Sequence, residues 1–168
     1  MNKLLIIGAG DHSEVVCEIA KACGFTTFLF LDDSEELIKS GKAYDKVSAM
    51  SSMSEEYEHA FVSIGNNMLR NKLIDELLKF GYKIPVLVHP TAFVSSTAVV
   101  SIGSLVAPCA VVGANSTIGK GCFISYCATV DHNVTIGDYS HIDSRAVCES
   151  YSHIEPYTKV TAGDIVRR

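Results

Sequence analysis

His132 lies between Asp131 and Asn133 in the run Thr129-Val130-Asp131-His132-Asn133, and His141 follows in Tyr139-Ser140-His141-Ile142. Histidine is the natural general base near neutral pH, and either neighbour of His132 could orient its ring or fix its tautomer. A second stretch with chemical potential is Gly8-Ala9-Gly10-Asp11-His12-Ser13, directly after an apolar run. Glycines there permit a tight bend and close approach of a ligand, and the helix start behind them offers N–H groups to a phosphate. Ser13 stands where the full dinucleotide fingerprint needs a third glycine. The segment is also too short for two mononucleotide halves, so NAD is not expected. Asp32 and Asp33 close the next apolar run, where they could accept from ribose or sugar hydroxyls or simply form a solvated turn.

The histidines belong to a segment with its own period. From Val94 onward an aliphatic residue recurs at every sixth position: Val100, Val106, Val112, Ile118, Ile124, Val130, Ile136, Ile142, then Ile154, Val160 and Val166, with Cys148 as the one interruption. Four residues after most of them sits a small residue, such as Ala98, Ser104, Ala110, Ser116, Cys122, Ala128, Ser140 or Ala146. A helix repeats at 3.6 residues and a strand at 2, so a period of six fits neither alone. It fits a parallel β-helix, with the aliphatic residue stacked inside and the small one at a corner. Three repeats per coil give about four coils and a prism about 20 Å tall. His132 lies two places after an inward residue, so its side chain is expected to point out of the coil, into a groove between subunits. Flat β surfaces of this kind are seldom left bare, so self-association is expected.

The first half is built differently. Residues 3–7 read as a buried parallel strand, followed by a helix with Val15, Val16, Ile19, Ala20 and Cys23 on one face and Gly24 at its end. Residues 26–31 make the next strand, completing a βαβ unit. Residues 60–64 and 84–88 read as further strands, the last at an edge because of Pro85. Between them Leu69, Leu73, Leu77 and Leu78 are placed on one side of a helix ended by Gly81. The chain is thus divided into an α/β Rossmann-like domain, 1–88, and a β-helix, 89–168.

The 168 residues are 48 % hydrophobic with a net charge of −5, which argues against a general nucleic-acid binder. No apolar run is long enough for a membrane span and no signal peptide opens the chain, so a cytoplasmic location is expected. The six cysteines show no zinc-like spacing and read as buried free thiols in a reducing compartment. His132, His141 and His153 are too far apart along the coils to gather round one metal, so none is expected.

The whole chain resembles the bacterial sugar-nucleotide N-acetyltransferases and sugar O-acyltransferases of the PglD/NeuD type. The resemblance rests on Ile7-Gly8-Ala9-Gly10-Asp11-His12, Leu31-Asp32-Asp33, Ile64-Gly65-Asn66-Asn67 with Arg70, His89-Pro90-Thr91-Ala92, and Val130-Asp131-His132 followed by His141. It implies a left-handed β-helix, a homotrimer, acetyl-CoA as donor, and N-acetylation of an amino-sugar nucleotide in surface-glycan synthesis. O-acetylation of a sialic-acid-like sugar, or a catalytically weak binding or assembly module, are the alternatives.

By the same resemblance His132 is the general base, with Asp131 and Asn133 beside it, His141 contacts acetyl-CoA, and Ser150 falls near the acetyl group. Gly8, Gly10, Asp11, His12, Asp32, Asp33, Gly65 and Asn66 form the sugar-nucleotide pocket. Three positions depart from the pattern: Asn133 replaces a carboxylate, Asp11-His12-Ser13 replaces Gly-His-Gly, and Ser125 replaces an asparagine. Relatives also carry further coils beyond the position of Arg168, so a shortened donor cleft is expected. Arg145, Lys159, Arg167 and Arg168 gather positive charge where the CoA phosphates would lie.

Overall fold

The computed structural model describes residues 2–168, which divide at Pro85–Val86 into two compact units. In the first, β1 (Lys3–Ile7), β2 (Thr27–Leu31) and β3 (His59–Val62) form a parallel sheet in the order β2-β1-β3. The central place of β1 explains its unbroken apolar run, because Leu4, Leu5, Ile6 and Ile7 are fully buried. Helix α1 (Asp11–Ala22) buries Val16, Ile19 and Ala20, while Cys23 just beyond it is exposed. A short helix, α2 (Glu35–Lys39), and a 3-10 turn at Val47–Ser52 join β2 to β3. Neither was legible in the sequence.

Helix α3 (Asn67–Lys79) is rotated from the expected face. Its buried stripe is Arg70, Leu73, Ile74 and Leu77, whereas Leu69 and Leu78 are each 41 % exposed. The cause is Arg70, which turns inward to satisfy carbonyls at the end of β3. Its Nη1 donates to Ile64 O at 2.9 Å and Gly65 O at 3.3 Å, and its Nη2 to Asn67 Oδ1 at 2.8 Å. Arg70 is itself fully buried, and a buried charged group left without partners would cost more than exposing a leucine edge.

The strand expected over 84–88 is not part of this sheet. Only Leu87–Val88 (β4) is extended, and it pairs with Leu105–Val106 in the second unit. Val88 therefore packs on the solenoid core, one repeat before Val94.

The second unit is a left-handed parallel β-helix. Its two-residue strands fall into three sheets of five, five and four strands, each strand in register with those one coil before and after. The inward column includes Val106, Val112, Ile118, Ile124, Val130, Ile136, Ile142, Cys148, Ile154 and Val160, nearly or fully excluded from solvent. Burying each such side chain contributes about 1.5–3 kcal/mol. Cys148 behaves as one of this column, and burial pushes its thiol up to about 11.

The small positions hold the coils together as well as making room. Ser104 Oγ donates to Gly119 O at 2.7 Å and accepts from Cys122 N at 2.9 Å. Ser116 does the same with Asp131 O at 2.6 Å and Val134 N at 3.0 Å, and Ser140 with Glu155 O and Thr158 N. Cys122 reaches Gly137 O through its sulfur at 3.2 Å. Several corners place a non-glycine residue at positive φ, among them Cys109, Cys127, Asn133, Arg145 and Tyr151. Cys109 and Cys127 are exposed, unlike Cys122 and Cys148, so the expectation of buried thiols holds for only part of the set.

Candidate active site

His132 occupies the corner between the strands Thr129–Val130 and Thr135–Ile136. Neighbouring coils fix the backbone of this corner from both sides. Asn133 N donates to Ala114 O at 2.8 Å, Ser116 Oγ to Asp131 O, and Tyr151 N to His132 O at 3.3 Å. Gly113, one coil earlier, lies directly under the Asp131–His132 peptide; a Cβ built there would sit 2.7 Å from Asp131 C and 2.8 Å from His132 N.

The imidazole is half-buried and stands edge-on to Tyr151, with centroids 5.3 Å apart. Asn133, at φ 58°, brings its side-chain Nδ2 to 2.8 Å from His132 Nδ1. Asp131 does not reach the ring in this way; its Oδ1 accepts the backbone N–H of His132 at 2.7 Å. Of the two neighbours, Asn133 is thus the one that orients the imidazole.

His141 lies on the strand His141–Ile142, on a sheet face rather than a corner. Its Nε2 is 2.9 Å from Ser125 Oγ, and its ring meets Phe123 edge-on at 5.7 Å. Burial by itself would raise the Asp143 carboxyl beside it. The Ser144 N–H, His141 and Lys159 together hold it below its ordinary value instead. Ser150 is half-buried and, by the pairing of Thr129 with Val147, lies one coil beyond His132. Within one chain His132 and His141 therefore occupy different sides of the prism. Among the cations of the final coils, Lys159 pairs with Asp143 at 3.4 Å and Arg167 with Glu149 at 3.8 Å, while Arg168 lies over the Tyr151 ring.

In the first unit, Gly8, Asp32, Asp33, Ile64 and Leu69 border a cavity of about 160 Å³ at the carboxyl ends of the strands, the place where open α/β sheets take ligands. The two carboxylates bond backbone here. Asp32 Oδ2 accepts from Ala9 N at 2.8 Å and its Oδ1 from Ser34 N at 2.9 Å, and Asp33 Oδ1 accepts from Val47 N at 3.0 Å. They fasten three loops around the cavity, a role their sequence position did not disclose. Gly10 caps α1 and Ser13 Oγ donates to its carbonyl at 2.7 Å. Asp11 is exposed and His12 half-buried in the first turn of α1, and neither lines this cavity. Gly65 is exposed, and Asn66 caps α3 by accepting from Leu69 N at 2.9 Å. Arg70, noted in the sequence only beside the Ile64–Asn67 motif, is fully buried and holds the Ile64 and Gly65 carbonyls, a role the sequence did not disclose because arginine is seldom fully buried.

Among the described residues no group of three His, Cys, Asp or Glu side chains is placed to hold a metal ion. No helix among them is long and apolar enough to cross a membrane.

Residues 3–77 match the family model described as the PglD N-terminal domain. Over 99 % of its length the chain superimposes on the acetyltransferase domain of PglB from Neisseria gonorrhoeae FA1090, solved in complex with acetyl coenzyme A. The TM-score is 0.91 and the identity 33 %, and 82 % of that domain is covered. A mutant form of perosamine N-acetyltransferase from Caulobacter crescentus, in complex with CoA and GDP-perosamine, matches at a TM-score of 0.83 and 25 % identity. That alignment covers all of this chain and 90 % of the other. The UDP-N-acetylbacillosamine N-acetyltransferase of Bacillus subtilis (strain 168) is 27 % identical over 110 residues, 62 % of this chain. The matched region spans only about half, 51 %, of that curated relative.

Proposed function

Since this chain belongs to the PglD-type acetyltransferase family, with a PglD N-terminal domain and a left-handed β-helix, we propose that it moves an acetyl group from acetyl-CoA to the amino group of a nucleotide-linked amino sugar. The observation that carries this reading is His132, a half-buried histidine at a corner whose backbone is held by the coils on both sides. The acceptor nitrogen attacks the thioester carbonyl carbon and gives its proton to His132. The C–N bond forms, the C–S bond breaks, and the imidazolium returns the proton to the departing CoA sulfur. Backbone N–H groups of the coil are suited to the oxyanion, and holding both substrates together supplies much of the remaining acceleration.

We assign the sugar nucleotide to the first unit, at the cavity beside Gly8, Asp32 and Asp33, and the donor to the solenoid around His141, Ser125 and Ser150. His132 and His141 lie on different sides of one prism, so a complete site needs a second copy of the chain, and we infer a trimer. Its apolar surface is available: Phe93 is 60 % exposed, Val99 57 % and Ile165 54 %. Among the described residues none of the six cysteines forms a disulfide, which favours a reducing compartment, the cytoplasm, where a product of this kind feeds glycan assembly.

The test is acetyl-CoA binding by calorimetry, then thiol release with a panel of UDP- and GDP-linked amino sugars and their hydroxyl analogues. Micromolar donor binding that is lost in His141→Ala, and amine-dependent turnover that is lost in His132→Ala, are the expected results. Absence of donor binding at millimolar concentration would leave the chain a binding module.

A further inference from the structure

The contact between Asn133 and His132 has a chemical direction. Asn133 Nδ2 stands 2.8 Å from His132 Nδ1; an amide nitrogen only donates, so in this orientation of the amide Nδ1 carries the lone pair. The neutral ring then bears its proton on Nε2, the nitrogen away from the Asn133 contact. In that tautomer Nε2 donates a hydrogen bond and cannot remove a proton. Turning the Asn133 amide by half a revolution presents Oδ1 to the same ring nitrogen. Nδ1 then donates, and Nε2 becomes the base. A carboxylate at this position could support only the second arrangement.

The charged and titratable groups around the ring do not override this choice. Asp131 is engaged with the His132 backbone N–H. Tyr151, from the next coil, meets the imidazole in a T-shaped ring contact, and Arg168 lies on the Tyr151 ring. The preceding coil brings Ala114 and Asn115, which are uncharged.

We propose that Asn133 makes His132 a conditional base: at rest the amide holds Nε2 protonated, and an acceptor whose N–H points at Nε2 selects the turned amide and the basic tautomer. This rests on the reading of His132 as the general base. Its consequence is protection of the donor. A water molecule that met the thioester before the acceptor arrived would find no base. With a permanent base, water adds to the carbonyl carbon, its proton passes through Nε2 to the leaving sulfur, and acetic acid and CoA are released without acceptor.

The experiment is nitrogen-15 NMR of histidine-labelled full-length protein, at a pH where the rings are neutral, with His132→Gln used to assign its signals among the six histidines. The free wild-type protein should show His132 protonated at Nε2, and Asn133→Asp should show it protonated at Nδ1. The variant is sterically tolerable, since Arg145 and Tyr151 hold φ of 60° and 64° at equivalent corners. In Asn133→Asp, acceptor-independent hydrolysis of acetyl-CoA should rise about tenfold, within the range general-base catalysis commands. A wild-type ring already protonated at Nδ1 overturns the proposal, whatever the variant does. A tautomer exchange as expected, in a protein that never turns over acetyl-CoA, leaves this inference standing and removes the acetyltransferase reading instead.

Discussion

Replacing Gly113 with alanine tests whether the coil beneath His132 positions it. The new methyl would meet Asp131 C at 2.7 Å and His132 N at 2.8 Å, about 0.7 Å inside ordinary contact at 3.4 Å. Both atoms are backbone, so no side chain can swing away, and the rung itself must move. Overpacking of this kind costs about 1–3 kcal/mol, which for a chain of this length lowers Tm by about 3–10 °C. The larger effect is on catalysis. The displaced peptide carries the imidazole, and a misplacement near 1 Å can cost about a hundredfold in rate, so kcat should fall by about ten- to a hundredfold.

Gly137→Ala is the control. Its methyl would sit 2.4 Å from Pro156 N, an even tighter clash, but at the next corner of the coil, against Pro156 and not against the Asp131–His132 peptide. It should lower Tm at least as far while leaving kcat within about twofold in the fraction that folds. Thiol release at saturating substrates, together with thermal unfolding of each variant, gives both quantities. If the two variants lost kcat in parallel, or if Gly113→Ala kept wild-type kcat despite its lowered Tm, positioning by the underlying coil would be refuted.

Two further expectations concern stability. Ser116→Ala removes the group that accepts from Val134 N and donates to Asp131 O, leaving a buried donor unpaired at a cost of about 1–3 kcal/mol in denaturant unfolding. Ser116→Cys should recover part of that, because Cys122 already fills the equivalent place with a sulfur contact to Gly137 O. Cys148 has a thiol raised by burial from 9.0 to about 11. The unfolded chain releases that proton first, so the associated stability is complete below about pH 9 and is lost as pH rises towards 11. Cys148→Val should flatten that limb of the pH–stability curve without weakening the protein at neutral pH; an unchanged limb would show that the thiol does not titrate there.

The solenoid was legible because a six-residue period matches no other regular structure, and the outward placement of His132 followed from its count to Val130. Its first strand was not, because the run Ile84-Pro85-Val86-Leu87-Val88 has the composition of a sheet strand and the sequence does not say which sheet it joins. On α3 the four leucines allowed two faces. The choice was made by an arginine whose partners are carbonyls, and a hydropathy pattern cannot register these. Asp32 and Asp33 were found as polar groups at strand ends, but their engagement with Ala9, Ser34 and Val47 depends on loop paths that no local pattern encodes. The small corner residues were read for their size alone. Serine's hydrogen bond to the next coil becomes visible only once residues 15 and 18 places on are known to be neighbours. At positive φ, asparagine at 133 offers a recognisable signal, whereas arginine at 145 and tyrosine at 151 offer none.

The uniform register of the solenoid makes length changes quantised. A residue faces its counterpart 18 places away on the next coil, as Asn115 N does Thr97 and Cys122 N does Ser104. An insertion of one whole coil ahead of His132 would return every later residue to its own side of the prism. One extra hexad between Phe123 and His132 would preserve the inward column yet carry each downstream residue round to the neighbouring side, taking His141 off the face it shares with Phe123. Any other change of length inside the regular coils would break the column itself. Such a scaffold can lengthen in whole coils while its chemistry stays put, so evolution can adjust its height and the orientation of its functional groups independently.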